Sequence, residues 1–282
     1  MEKACRIVSL YSGSGGNSTF IRVGEHAILI DAGKSARALC RALCDIGESI
    51  DNISAIFITH EHTDHVSALE VLAKKHAIPI HITALSAERF DERSTPYCFS
   101  RLFIHQVEFS EQVGDMKISS FRTPHDSRMS VGYRIEFCDG ERQRAIGYAT
   151  DIGYITDDIR KNMLGCDAVV LESNHDIDML MTGPYPRELK MRVASRRGHL
   201  SNCECADFAL DLVQSGTRAF LLAHLSKENN EPDLALDETR RAVSGFGATV
   251  ITAHPDEPRE LKFLSEEEDS CVEREVYNPW DA

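Results

Sequence analysis

The segment His60-Glu61-His62-Thr63-Asp64-His65 places four metal-ligand side chains in six positions, directly after the apolar, β-branched run Ile53 to Thr59. That run predicts a buried strand. In an extended segment, residues i and i+2 point the same way, so His60 and His62 face one position. Apolar periodicity through Leu69, Leu72 and Ala73 predicts a helix over Val66 to His76, which leaves Asp64 and His65 near its N-terminal end, facing a second position. Mixed imidazole and carboxylate donors suit borderline divalent cations. Solvated loop histidines are the plain alternative, and the density of ligand types at a strand exit argues against them.

The same arrangement recurs outward from this segment. His125 follows Phe121-Arg122-Thr123-Pro124, Asp151 ends Gly147-Tyr148-Ala149-Thr150, and His224 ends Phe220-Leu221-Leu222-Ala223. Asp31 closes the strand-like run Ala27 to Asp31 and is placed to orient a ligand histidine through the ring nitrogen that faces away from the metal. Further strands are predicted at Arg6 to Leu10, Thr19 to Val23, Ile78 to Thr83, Lys117 to Thr123, Val131 to Phe137, Ala145 to Thr150, Ala168 to Glu172 and Thr249 to Ala253. A helix is predicted from Ser35 to a stop at Gly47, and a capping box at Ser201-Asn202-Cys203-Glu204 opens another to about Ser215. Many strands with helices between them predict two helix-covered sheets or one large mixed sheet.

With 282 residues, 42% of them hydrophobic, the chain has ample material for a core, which excludes disordered and mini-protein classes. No repeat or low-complexity linker divides it. One continuous domain is expected over residues 1–264. An acidic tail follows over 265–282, where seven acids from Glu266 to Asp281 face only Arg274. No apolar run approaches the ~18 residues of a membrane span, and the first ten residues lack a signal-peptide core, so a cytoplasmic protein is expected. The 9 cysteines show no CxxC spacing, which argues against a disulfide framework or a structural zinc cluster. Cys40, Cys44, Cys203 and Cys205 are expected to pack as small hydrophobes.

The net charge of −14 excludes broad non-specific nucleic-acid binding and leaves room for a local basic site. One candidate is Arg187, Lys190, Arg192, Arg196 and Arg197, opposed only by Glu188. This is either a solvated helix face or a phosphate path leading into Gly198-His199. The loop Ser12-Gly13-Ser14-Gly15-Gly16-Asn17-Ser18 is likewise either a tight turn or a phosphate cradle using its amides with Asn17 and Ser18.

In chain order, Asp31, His60/His62/Asp64/His65, His125, Asp151 and His224 resemble the five motifs of the metallo-β-lactamase superfamily. The resemblance implies an α/β (α+β) fold, an αββα sandwich of two mixed sheets covered by helices, with two divalent metal ions (Zn, Mn or Fe) at one edge. It implies His60, His62 and His125 on one ion, Asp64, His65 and His224 on the other, and Asp151 bridging. His65 stands where zinc β-lactamases carry arginine, and His62 where flavodiiron proteins carry glutamate, which disfavours antibiotic hydrolysis and iron redox chemistry.

The strings Ser12 to Ser18, Leu171-Glu172-Ser173-Asn174-His175-Asp176 and Gly198-His199-Leu200-Ser201-Asn202 are similar to the small bacterial WalJ/YycJ-type proteins. That likeness implies a nuclease, with 5′-to-3′ exonuclease action on DNA and nucleic acid as the partner. Asp64 joins His199 and His175 as catalytic candidates, the two histidines as proton donors to the leaving oxygen. Asn17, Ser18, Asn174, Ser201, Asn202, Arg196 and Arg197 fall on the substrate side. The Asp151 to His224 interval is too short for the large β-CASP insertion of related processing nucleases. A narrow pocket without basic walls would instead favour a thioester, lactone or cyclic-nucleotide hydrolase. A non-catalytic metal-binding regulator is the third possibility.

Overall fold

The computed structural model describes residues 5–262; the expected tail and the 264/265 boundary lie outside the described residues. Two seven-stranded sheets pack face to face. The first contains β1 (Cys5–Tyr11), β2 (Ser18–Val23), β3 (His26–Ile30), β4 (Ile53–Phe57), β5 (Ile80–Thr83) and β6 (Leu102–His105), in that order. The second contains β7 (Ser110–Val113), β8 (Met116–Thr123), β9 (Ser130–Asp139), β10 (Arg142–Ala149), β11 (Ala168–Glu172), β12 (Ala219–Ala223) and β13 (Thr249–Thr252). The last strand, β14 (Arg259–Leu261), returns to pair antiparallel with β1.

Strand alternation builds three apolar layers. Ile7, Ile21, Ile28, Ile30 and Phe57 point from the first sheet into a central core, where they meet Ile118, Tyr133, Ile135, Val170 and Leu221. The alternate residues Leu29, Ile56, Ile58 and Ile80 face helices Ala36–Asp45 and Leu69–Lys75 through Leu39, Leu43, Leu69 and Leu72. On the far side Val169, Leu171, Phe220 and Leu222 meet Ile159, Phe208 and Leu212 from helices Asp157–Met163 and Asn202–Gln214. The result is the expected αββα sandwich, and both sheets are mixed. The runs β3-β4-β5-β6 and β10-β11-β12-β13 are parallel, and the remaining pairs are antiparallel. Open sheets of this kind place ligands beyond the carboxyl ends of parallel strands. Among the described residues no helix is long and apolar enough to cross a membrane.

Three expectations change. The helix expected from Val66 to His76 is two pieces, Thr63–Val66 and Leu69–Lys75, because the Ala68 amide donates to Ala32 rather than to the preceding turn. Strands β6, β7 and β14 carry no apolar alternation that would announce them. Cys44 and Cys203 are exposed, whereas Cys205 is buried and Cys40 half-buried.

Candidate metal centre

Six segments converge at one edge of the sandwich, each where a strand ends: Asp31 after β3, His60 to His65 after β4, His125 after β8, Asp151 after β10, Glu172 at the end of β11 and His224 after β12. Asp31, Asp151 and His224 turn there with φ of 62°, 55° and 59°, the only non-glycine residues with positive φ among those described. The segment after β3 and the histidine segment approach so closely that a Cβ on Gly33 would lie 1.5 Å from the Asp64 carbonyl oxygen. Glycine alone fits there, and the Asn17 amide donates to that same Asp64 oxygen at 2.8 Å.

In the cluster, His60, His65, His125 and His224 each have Nδ1 held by a hydrogen bond, which leaves Nε2 as the candidate donor atom. Asp31, fully buried, accepts His65 Nδ1–H at 2.8 Å and also the Thr59 hydroxyl and amide, each at 2.8 Å. With its proton given to Asp31, the Thr59 oxygen is left to accept from His60 Nδ1 at 3.0 Å. His125 Nδ1 donates to the Gly198 carbonyl at 3.2 Å. In the second sheet Glu172 repeats the role of Asp31: Oε1 accepts from His224 Nδ1 at 2.8 Å and His199 Nδ1 at 2.9 Å, while Oε2 accepts the Ile152 and Leu200 amides at 2.8 and 3.1 Å. Glu172 lay in a quoted string with no role attached; its position at a strand end, like the others, was the available signal. Such outer partners fix the tautomer and raise the basicity of the inward nitrogen.

Three inward atoms, His60 Nε2, His224 Nε2 and Asp151 Oδ2, are buried without any hydrogen-bond partner. Orphaned buried polar atoms are costly and call for an ion or water. The donor atoms of His60/His62/His125, of Asp64/His65/His224 and of His60/His65/Asp151 each lie within 4.8 Å of one another, so the residues present fit divalent cations. Burial and the charge on His65 hold His60 well below its usual pKa, and burial lowers His125. Burial would also lower His65 and His224, but the carboxylates outweigh it. Asp31 and Asp151 push His65 to about 10, and Asp151 and Glu172 push His224 to about 9. Glu172, despite burial, is held at about 2 by His199 and His224.

The expected substrate-side residues are engaged within the protein. Asn17 Oδ1 accepts the Gly13 amide at 2.8 Å, and Ser18 Oγ donates to the Asp31 carbonyl at 2.8 Å. With the Gly16 amide also bonded inside the loop, Ser12 to Ser18 is a turn that braces the site: Ser12 Oγ accepts the His224 amide at 2.7 Å. Asn174 Nδ2 donates to the His224 carbonyl at 2.7 Å, Ser201 caps its helix, and Asn202 is bonded to Ser173 and Asn230. Arg196 stacks on Tyr154 at 4.1 Å, and Arg197 donates to the His125 carbonyl at 3.1 and 3.2 Å. Their sequence positions next to Gly198-His199 pointed to substrate, but both guanidiniums face the protein. His175 is buried, with Nδ1 unpartnered and its pKa lowered by burial. The His199 ring lies 5.2 Å from that of His125 and 5.0 Å from that of His224. Outside the cluster opens a cleft of ≈ 650 Å³ walled by His62, Asp64, Arg89, Arg128 and Arg192.

Residues 26–225 match the family model described as the beta-lactamase superfamily domain. The chain belongs to the beta-lactamase superfamily. Within the superfamily it is 32% identical to the exodeoxyribonuclease YycJ of Bacillus anthracis, over 89% of this chain and 94% of that protein. It is also 32% identical to the exodeoxyribonuclease WalJ of Streptococcus pneumoniae, over 88% of this chain and 93% of that one. Among solved superfamily structures, the metallo-beta-lactamase fold protein YhfI of Bacillus subtilis superposes with a TM-score of 0.66 at 18% identity, covering 91% of this chain and all of that one. Zn(2+)-bound PqqB of Methylobacterium extorquens superposes with 0.67 at 18% identity, covering 90% and 99%. These two likenesses establish the fold.

Proposed function

We propose that this protein is a two-metal phosphodiesterase acting on nucleic acid, specifically a 5′-to-3′ exonuclease on DNA working in the cytoplasm. The observation that carries the reading is the set of buried, partnerless donor atoms on His60, Asp151 and His224, beside a cleft that His62 and Asp64 line together with three arginines. The two exodeoxyribonuclease relatives, aligned over most of both chains, support it. His60, His62 and His125 would hold one ion, Asp64, His65 and His224 the other, with Asp151 shared. Two divalent ions, Zn, Mn or Fe by donor type, would supply Lewis acidity and a water acidic enough to attack phosphorus at neutral pH.

The chain's own residues do the rest. Asp31 through Thr59, and Glu172 directly, keep the ligand imidazoles in register. His199 has Nδ1 anchored on Glu172, which leaves Nε2 for the proton that the departing oxygen needs. Its side chain is 21% exposed, enough to meet substrate, whereas His175 is buried. The cleft's breadth and its polar, arginine-bearing lining favour a phosphodiester chain over a lactone or thioester, which would need a narrow apolar pocket.

Digestion of 5′-labelled and 3′-labelled DNA and RNA with Zn or Mn supplied tests the reading. The expected result is metal-dependent release from the 5′ end of DNA, abolished by chelator. Turnover of thioesters or lactones with no cleavage of any diester would refute it.

A further inference from the structure

The cleft beside the metal centre draws three arginines from separate segments. Arg89 follows the helix Ala84–Ala87, Arg128 lies between β8 and β9, and Arg192 belongs to the helix Arg187–Val193. Glu61, the apparent spacer inside the histidine segment, is what assembles them. Its buried carboxylate accepts the Ser86 hydroxyl through Oε2 at 2.8 Å and the Arg128 amide through Oε1 at 2.8 Å, tying both neighbouring segments to the ligand-bearing loop. Arg89 Nη2 donates to Thr63 Oγ1 at 3.1 Å, Arg192 Nε to Asp126 Oδ2 at 2.6 Å, and Arg128 pairs with exposed Glu88. A guanidinium has five N–H donors, so each of these contacts orients the group and leaves others for a ligand. The Arg128 and Arg192 side chains are 54% and 63% exposed.

We propose that this cleft is the track for the backbone of a single-stranded nucleic acid, with Arg89, Arg128 and Arg192 meeting phosphates next to the one being cleaved. The inference rests on the phosphodiesterase reading above. Every residue lining the cleft is polar or charged, and no Phe, Tyr or Trp is among them. Single-strand sites that read bases stack them on aromatic side chains; a polar, arginine-bearing wall reads the backbone alone and is indifferent to sequence. Within a chain of net charge −14, the three arginines stand beside the acids Glu61, Asp64 and Glu88 on a wall that includes the candidate ligands His62 and Asp64.

The test is binding of a short phosphorothioate-linked oligothymidylate to the metal-loaded protein across a salt series. Each lost arginine–phosphate contact flattens the slope of log affinity against log salt by about 0.7. The double variant Arg89→Ala/Arg128→Ala therefore loses about 1.4 units of slope, and Arg89→Lys/Arg128→Lys regains most of it. A charge-matched control, Arg142→Ala/Arg259→Ala, removes two exposed arginines outside the cleft and keeps the parental slope and parental turnover of bis-p-nitrophenyl phosphate. An unchanged slope in the Arg89/Arg128 variant, or equal flattening in the control, overturns the track. A parent protein that binds the strand but hydrolyses no diester refutes the phosphodiesterase reading instead, and the two failures are distinct.

Discussion

Glu172 is a single buried carboxylate that serves two imidazoles and two backbone amides. Glu172→Gln keeps the shape and replaces one oxygen by an NH2 group. The Ile152 and Leu200 amides can only donate, so the amide oxygen turns to them and the NH2 faces His224 and His199. His224 Nδ1 must then accept, and the remaining ring proton moves to Nε2, the atom whose lone pair a cation requires. Loss of such a supporting partner typically weakens metal binding 10–100-fold. That is about 1.4–2.8 kcal/mol at tenfold per 1.4 kcal/mol. The two charge-assisted bonds contribute roughly 1.5–3 kcal/mol each, so the metal-free variant should also be about 3–6 kcal/mol less stable where the tautomers do not relax. Chelator competition with zinc should show one of two ions weakened, the one on Asp64, His65 and His224, and urea unfolding should show the loss of stability. Two ions held with parental affinity in Glu172→Gln would refute the orienting role.

Asp151→Asn, which tolerates positive φ better than alanine would, is expected to lose metal and hydrolysis while circular dichroism stays native; full activity with two metals bound would remove Asp151 from the bridging position. His199→Ala should retain both metals and lose about 10²–10⁴ in turnover. Metal loss in that variant would make His199 a ligand instead. Because His65 and His224 are pushed to about 10 and about 9, both carry protons at neutral pH before a cation binds, so metal binding releases protons and apparent affinity rises with pH up to about 10. Calorimetry in buffers of different ionisation enthalpy checks this, and heats independent of buffer would contradict it.

Much of the centre was legible because its ligands obey one rule: each follows an apolar strand and is of a type that has little other reason to sit there. Asp31 was readable for the same reason. Glu172 shares that strand-end signal, but its pairing and that of Glu61 were not legible, because their partners are distant in sequence: Glu172 reaches His199 and His224 across 27 and 52 positions, and Glu61 reaches Ser86 and Arg128 across 25 and 67. Nothing local announces such a pairing. The basic run ending in Arg197 misled for a related reason, since charge density along a chain does not say which way a guanidinium turns. Arg197 folds back onto the His125 carbonyl, while Arg89 and Arg128, isolated in sequence, face the cleft. The edge strands β6, β7 and β14 were unreadable because an edge needs no two-sided apolar pattern.

The left-handed turns at Asp31, Asp151 and His224 have a consequence for how such a protein changes over time. Each places a side chain with a Cβ where glycine would rest more easily, at roughly 1–2 kcal/mol apiece. A glycine at any of the three would relieve that strain and remove a group the centre needs. Selection for stability alone would therefore erode the site one strand end at a time, and a copy freed from its task should drift towards glycine at these three positions while the sandwich persists.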